Sequence, residues 1–154
     1  MKSILKLMAV SLTVVGVVAS LAQPVSAGPG DKIAGALSQG KAKIQDLSDS
    51  LCGTSQNLMS IFILLGATPS DKCATKYNYN PEIEKYEKGK TVKVESPAAH
   101  LKRQAMKSGM TGGAFRKVLR PVCKAAPNAP EGISSRLDQF LAVCTALAER
   151  DAKK

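Results

Sequence analysis

Three groups of residues carry side chains able to do chemistry, and the largest is cationic. Lys102, Arg103, Lys107, Arg116, Lys117, Arg120 and Lys124 lie in segment 96–130, which contains no Asp or Glu and has His100 at its edge. Seven positive charges with no acid among them suit an anionic partner: a lipid headgroup, a cell-wall polymer or an acidic protein. Nucleic acid is not the expected partner, because export takes a chain away from most of it and little aromatic surface accompanies these cations. On a helix, Arg116, Lys117, Arg120 and Lys124 fall at i, i+1, i+4 and i+8, so most share a face. The plainer reading of the same residues is a solvated face that keeps the protein soluble.

Gly109-Met110-Thr111-Gly112-Gly113-Ala114 precedes the densest cations. Such a stretch can offer backbone N–H groups to a phosphate at a helix start. It lacks the Gly-Lys-Ser/Thr ending of a P-loop, and its glycines read as a hinge between two short helices.

The second group is Cys52, Cys73, Cys123 and Cys144. An even count in an exported chain predicts two disulfides; three pairings are possible, and the sequential one, Cys52 to Cys73 and Cys123 to Cys144, is favoured because each of its loops could clamp a local helical turn. Structural zinc needs close ligand pairs and a redox site needs Cys-x-x-Cys; neither pattern occurs, so no metal and no cofactor are expected.

The third group is the set of possible catalysts. His100 is the single histidine, and no Gly-x-Ser-x-Gly occurs. A thiol nucleophile would need an unpaired cysteine beside that histidine. Glu82, Glu84 and Glu87 could supply a carboxylate pair for glycoside hydrolysis, but on a helix Glu82 and Glu84 face different ways, and Lys85 and Lys88 mark a solvated, ion-paired surface. The chain reads as a non-enzyme.

These residues need a scaffold to position them. Met1 to Ala27 has Lys2 and Lys6, an apolar stretch from Leu7 to Leu21, and Val25-Ser26-Ala27 before Gly28, the pattern of a cleaved secretory signal peptide. The full chain has 154 residues and a net charge of +10; without the leader, 127 residues carry +8, of which +7 lies in 96–130. One domain over 28–154 is expected. No later stretch reaches the roughly 20 apolar residues of a membrane span.

Apolar spacings of three and four predict a helix from Asp31 to Leu51, a second capped by Thr54 or Ser55 and ending at Gly66, and a last one capped by Ser134 or Ser135. The last carries a stripe of Leu137, Phe140, Leu141, Cys144, Leu147 and Ala148. Asn80-Pro81-Glu82 reads as a helix start, 90–95 as an extended linker, and Ser96-Pro97 as the start of a helix to about Lys107. A further short helix from Ala114 should end before Pro121. The segment 58–65 is apolar on every side, as a buried core helix is, or else an exposed docking segment.

The sum is a small all-α, single-domain fold of four to six helices with two disulfides, periplasmic or extracellular. Its expected role is a non-enzymatic binding protein of the bacterial envelope or extracellular space that holds an anionic partner, as an accessory subunit of an envelope assembly. A membrane-active effector or toxin that inserts 58–65 is the alternative reading, and a small secreted hydrolase the third.

Overall fold

The computed structural model describes residues 28–153, and the signal-peptide reading of 1–27 lies outside the described residues. The chain is mostly helical and cross-linked by two disulfides. Its helices are α1 (Pro29–Gln39), α2 (Lys41–Leu51), α3 (Gln56–Leu64), α4 (Asp71–Lys76), α5 (Pro97–Met106), α6 (Gly109–Ala125) and α7 (Leu137–Ala152). A 3-10 turn, Ala126–Asn128, extends α6, and β1 (Tyr79–Asn80) pairs antiparallel with β2 (Lys85–Tyr86).

Among the described residues, seven helices exceed the expected four to six for identifiable reasons. Gly40, at φ 109°, turns the chain and divides the first expected helix into α1 and α2; a left-handed φ of this kind favours glycine. Ser70 starts α4 in what reads as loop, its hydroxyl accepting from the Cys73 N–H at 3.2 Å. The Gly109 to Gly113 stretch is helical, so α6 is one element of 17 residues, with Pro121 inside it.

The helix expected after Asn80 is a hairpin instead. Asn80 Oδ1 accepts from the Glu82 N–H at 2.9 Å, Glu84 takes a left-handed φ of 54°, and Tyr79 pairs with Tyr86. Asn-Pro starts turns as readily as helices. Here the turn prevails because it buries two tyrosines edge to face, 5.4 Å between ring centres, which a short polar helix could not do. The segment expected as an extended linker, 90–95, bends at residues 90, 91 and 94 and returns to the hairpin, where Tyr86 N–H donates to the Glu95 carbonyl at 2.8 Å.

The core is built around α3. Ser55 caps it by accepting from the Leu58 N–H at 3.0 Å, and Met59 and Ile61 to Leu65 are at most 1% exposed. The 58–65 segment is therefore core and not an exposed docking patch. Each such side chain contributes roughly 1.5–3 kcal/mol by leaving water. α1 packs on α6, α3 on α5, and α5 on α7. Of the expected α7 stripe, Phe140 and Leu147 are buried, Leu137, Leu141 and Cys144 half-buried and Ala148 exposed, while Val143, outside the expected stripe, is buried. Neither Ser134 nor Ser135 caps this helix; the Ser134 hydroxyl donates to the Leu64 carbonyl at 2.8 Å, tying the approach to α7 onto α3.

The pairing of cysteines is sequential. Cys52–Cys73 ties the end of α2 to α4, with Cα atoms 6.1 Å apart, and Cys123–Cys144 ties α6 to α7 at 5.4 Å. No helix among the described residues is long and apolar enough to cross a membrane.

Candidate anion-binding face

The cationic residues sit on two helices joined by a tight corner. Ser96 starts α5, its hydroxyl accepting from the Ala99 N–H at 3.1 Å, and α5 ends at Met106; α6 begins three residues later. Along α6, Phe115, Leu119 and Val122 are buried against the core. Met110, Gly113, Lys117, Arg120 and Lys124 recur at spacings of three and four on the opposite side, which places them in one line facing solvent. Met110 is 88% exposed.

Four of the seven cations are open. Lys102, Lys107, Lys117 and Lys124 are exposed, and among the described residues no carboxylate forms an ion pair with them. Lys117 and Lys124 share the α6 line. Lys102 lies on α5, whereas Lys107 follows its last residue with an extended backbone, so the two do not share a helical line.

The three arginines are engaged within the fold. Arg103 donates from Nε to Glu95 Oε1 at 3.2 Å and from Nη2 to Oε2 at 2.7 Å. Arg120 holds Asp151 in the same forked manner, both contacts at 3.0 Å. Both acids lie outside the acid-free segment, so the segment is less positive in the fold than along the chain.

Arg116, expected on the open face, is turned inward and only 6% exposed. Its Nη1 donates to the carbonyls of Ala105 at 3.0 Å and Lys107 at 2.7 Å. The cause is the end of α5: the last carbonyls of a helix lack partners and carry partial negative charge, which a guanidinium satisfies. Arg150 adds a contact to the same Lys107 carbonyl at 3.3 Å. Gly112 makes this approach possible, since a Cβ there would lie 2.3 Å from the Lys107 oxygen and 2.9 Å from Arg116 Nη1. In place of the expected hinge, Gly112 lets two helix ends interlock.

His100 is likewise a fold residue, 2% exposed. Its Nδ1 lies 3.0 Å from Glu95 Oε2 and its Nε2 reaches the Asn57 side-chain amide at 2.7 Å. Burial pushes the imidazole below its ordinary pKa against the pull of Glu95, and Arg103 Nη2 also lies 3.2 Å from Nδ1. The hydrogen bonds from Arg103 hold the Glu95 carboxyl below its ordinary range. Tyr86 packs edge-on against His100 and shares a 2.6 Å hydrogen bond with Ser60. A carboxylate and an imidazole form two-thirds of a nucleophile-activating triad. Here the far nitrogen ends on an amide, with no hydroxyl or thiol in its place.

The other candidate catalysts are dispersed. Glu82, Glu84 and Glu87 lie on and beside the hairpin, not on a helix; Glu84 pairs with Arg136 at 2.8 Å, and neither Lys85 nor Lys88 is its partner. Ser38 to Lys41 has a Ser-x-x-Lys spacing, yet the turn at Gly40 places the two on different helices and the Ser38 hydroxyl donates to Gly35. Among the described residues, no group of three His, Cys, Asp or Glu is placed to hold a metal ion.

One of the surface depressions, of about 460 Å³, lies on the α6 face and is lined by Met110, Gly113, Ala114, Arg116, Lys117 and Arg120. Sequence reasoning reached the cations but not Glu95 or Asp151, which decide which of them are free. No protein-family model, curated protein or solved structure matches the chain, and the chemistry of the face is read from its own geometry.

Proposed function

We propose that this is an exported, non-enzymatic binding protein of the envelope or extracellular space that holds an anionic partner on the solvent face of α6, as an accessory subunit of an envelope assembly. The observation that carries the reading is the line of Lys117, Arg120 and Lys124, where the two lysines have no carboxylate partner among the described residues and the arginine has one. A fold that neutralises Arg103 and Arg120 with acids from elsewhere, yet leaves these lysines open, keeps positive charge where a partner can reach it. Two disulfides suit an oxidising compartment, and the leader pattern of 1–27 supplies the route there.

The test is binding of the mature chain to polyphosphate, to polyglutamate and to phosphatidylglycerol vesicles over a salt titration. Binding to at least one at low salt, weakening steadily as salt screens the face, is expected. Failure to bind any of the three at low salt overturns the reading.

A further inference from the structure

We propose that the depression on α6 is a pocket for a phosphate group, with the Arg116 guanidinium as its floor. The proposal rests on the anion-binding reading above and names the chemistry of the group that is held.

A guanidinium has five N–H donors in a rigid plane. In Arg116, Nη1 spends its donors on the carbonyls of Ala105 and Lys107. Nε is buried without an acceptor. Nη2 has no protein acceptor among the described residues and lies beside Gly113, where an added Cβ would stand 3.9 Å from it. Arg116 also lines the depression together with Gly113, Lys117 and Arg120. A side chain 94% removed from solvent and clamped by two carbonyls thus lines an open hollow whose walls are cationic, with its Nη2 donors unspent.

Lys117 is exposed on one wall. On the other, Arg120 commits Nε and Nη2 to Asp151 and keeps Nη1 outside that pair. Three cations and one nearby carboxylate leave an excess of about two positive charges, matched to a phosphate monoester, which carries between −1.5 and −2 at neutral pH. The guanidinium is already held, so a ligand does not have to order it, and a fixed fork is the geometry that recognises phosphate oxygens. Gly113 has a reason to be glycine in this arrangement: a methyl group there fits sterically but stands over Nη2.

Because Arg116 also holds α5 to α6, the test is placed on Gly113. In the mature chain, arginine side-chain N–H resonances are followed by NMR while inorganic phosphate replaces chloride at constant ionic strength. A saturable shift of the Arg116 signals is expected, with affinity reduced at least fivefold in Gly113→Ala and in Lys117→Ala, both variants keeping the wild-type circular dichroism spectrum and thermal midpoint or better. An Arg116 signal that phosphate moves no more than chloride does, or a Gly113→Ala protein that binds phosphate like wild type, overturns the pocket. Competition then separates sources: displacement of phosphate by polyphosphate assigns the pocket to a polymer, and displacement by phosphatidic acid vesicles assigns it to a lipid headgroup. Polyanion binding without phosphate binding sinks the pocket alone, whereas phosphate binding without any polyanion or vesicle binding sinks the broader reading.

Discussion

Arg116 Nη1 donates to the Lys107 carbonyl at 2.7 Å, so a cation from the most basic helix closes the end of the helix before it. The residue that looks most like part of an open patch is a structural joint, and the surface it helps to shape differs from the one its sequence neighbours imply.

That joint has a measurable stability. Arg116→Ala should lower the unfolding free energy by about 3 kcal/mol, since hydrogen bonds from a charged donor contribute about 1.5–3 kcal/mol, the buried Ala105 carbonyl loses the guanidinium and the Lys107 carbonyl keeps only Arg150. Arg116→Lys should recover only part, because an ammonium lacks the planar fork. Urea unfolding measures both; a loss under about 0.5 kcal/mol in the alanine variant would show that the joint is dispensable.

The Glu95–His100 pair makes stability fall in acid. Burial, first of all, depresses the His100 pKa, so its contribution is full above the unfolded value of about 6.5 and declines as pH drops below it, because the unfolded ring takes the proton first. Glu95 is depressed chiefly by Arg103, so its contribution is full above about 4.3 and is lost as pH falls through the lower folded value. The unfolding free energy measured from pH 7 to pH 4 should decline from just below 6.5 and steepen near the bottom of that range. His100→Gln should flatten the upper part and Glu95→Gln the lower. An unchanged profile in both variants contradicts the assignment.

Ser60 and Tyr86 should be coupled. Their 2.6 Å hydrogen bond is buried, and burial raises the Tyr86 phenol far above its ordinary pKa, keeping it neutral. Ser60→Ala and Tyr86→Phe should each cost about 1–2 kcal/mol, and the double variant less than their sum by about 1 kcal/mol. Strict additivity would show that the contact contributes nothing.

Much of this fold is legible along the chain because its strongest signals are local. The apolar run of α3, the Ser55 cap, the Ser96-Pro97 start and the α7 stripe depend on neighbours within a few residues, and the sequential cysteine pairing is the one found. What is not legible depends on distant partners. Gly112 reads as a helix breaker until α5 is placed 2.3 Å from where its Cβ would be. Arg120 reads as free until Asp151, 31 residues on, is brought beside it. The inward turn of Arg116 had a faint trace: it follows Phe115 and precedes Leu119 by three, at the margin of the buried face. Asn80-Pro81 carries equal local cues for a helix and a turn, and only the burial of Tyr79 and Tyr86 decides between them.

The disulfides should contribute comparably. Each closes a loop of sequence separation 21, for which chain entropy predicts about 3 kcal/mol. The native protein should take up no thiol label, and four labels after reduction in denaturant. Removal of either bridge as a Cys→Ala pair should lower the thermal midpoint by a similar amount; a change of under about 2 °C for either pair would contradict this estimate, which corresponds to well below 1 kcal/mol at this size.

The most direct test of the central claim separates a particular face from overall charge. Lys117→Glu with Lys124→Glu alters the α6 line, while Lys32→Glu with Lys43→Glu makes the same change in net charge on exposed positions of α1 and α2. Salt-dependent retention on polyphosphate should fall at least tenfold in affinity for the first pair and by no more than about twofold for the second. Equal loss in the two pairs would mean that only net charge matters, and would contradict an anion-binding face on α6.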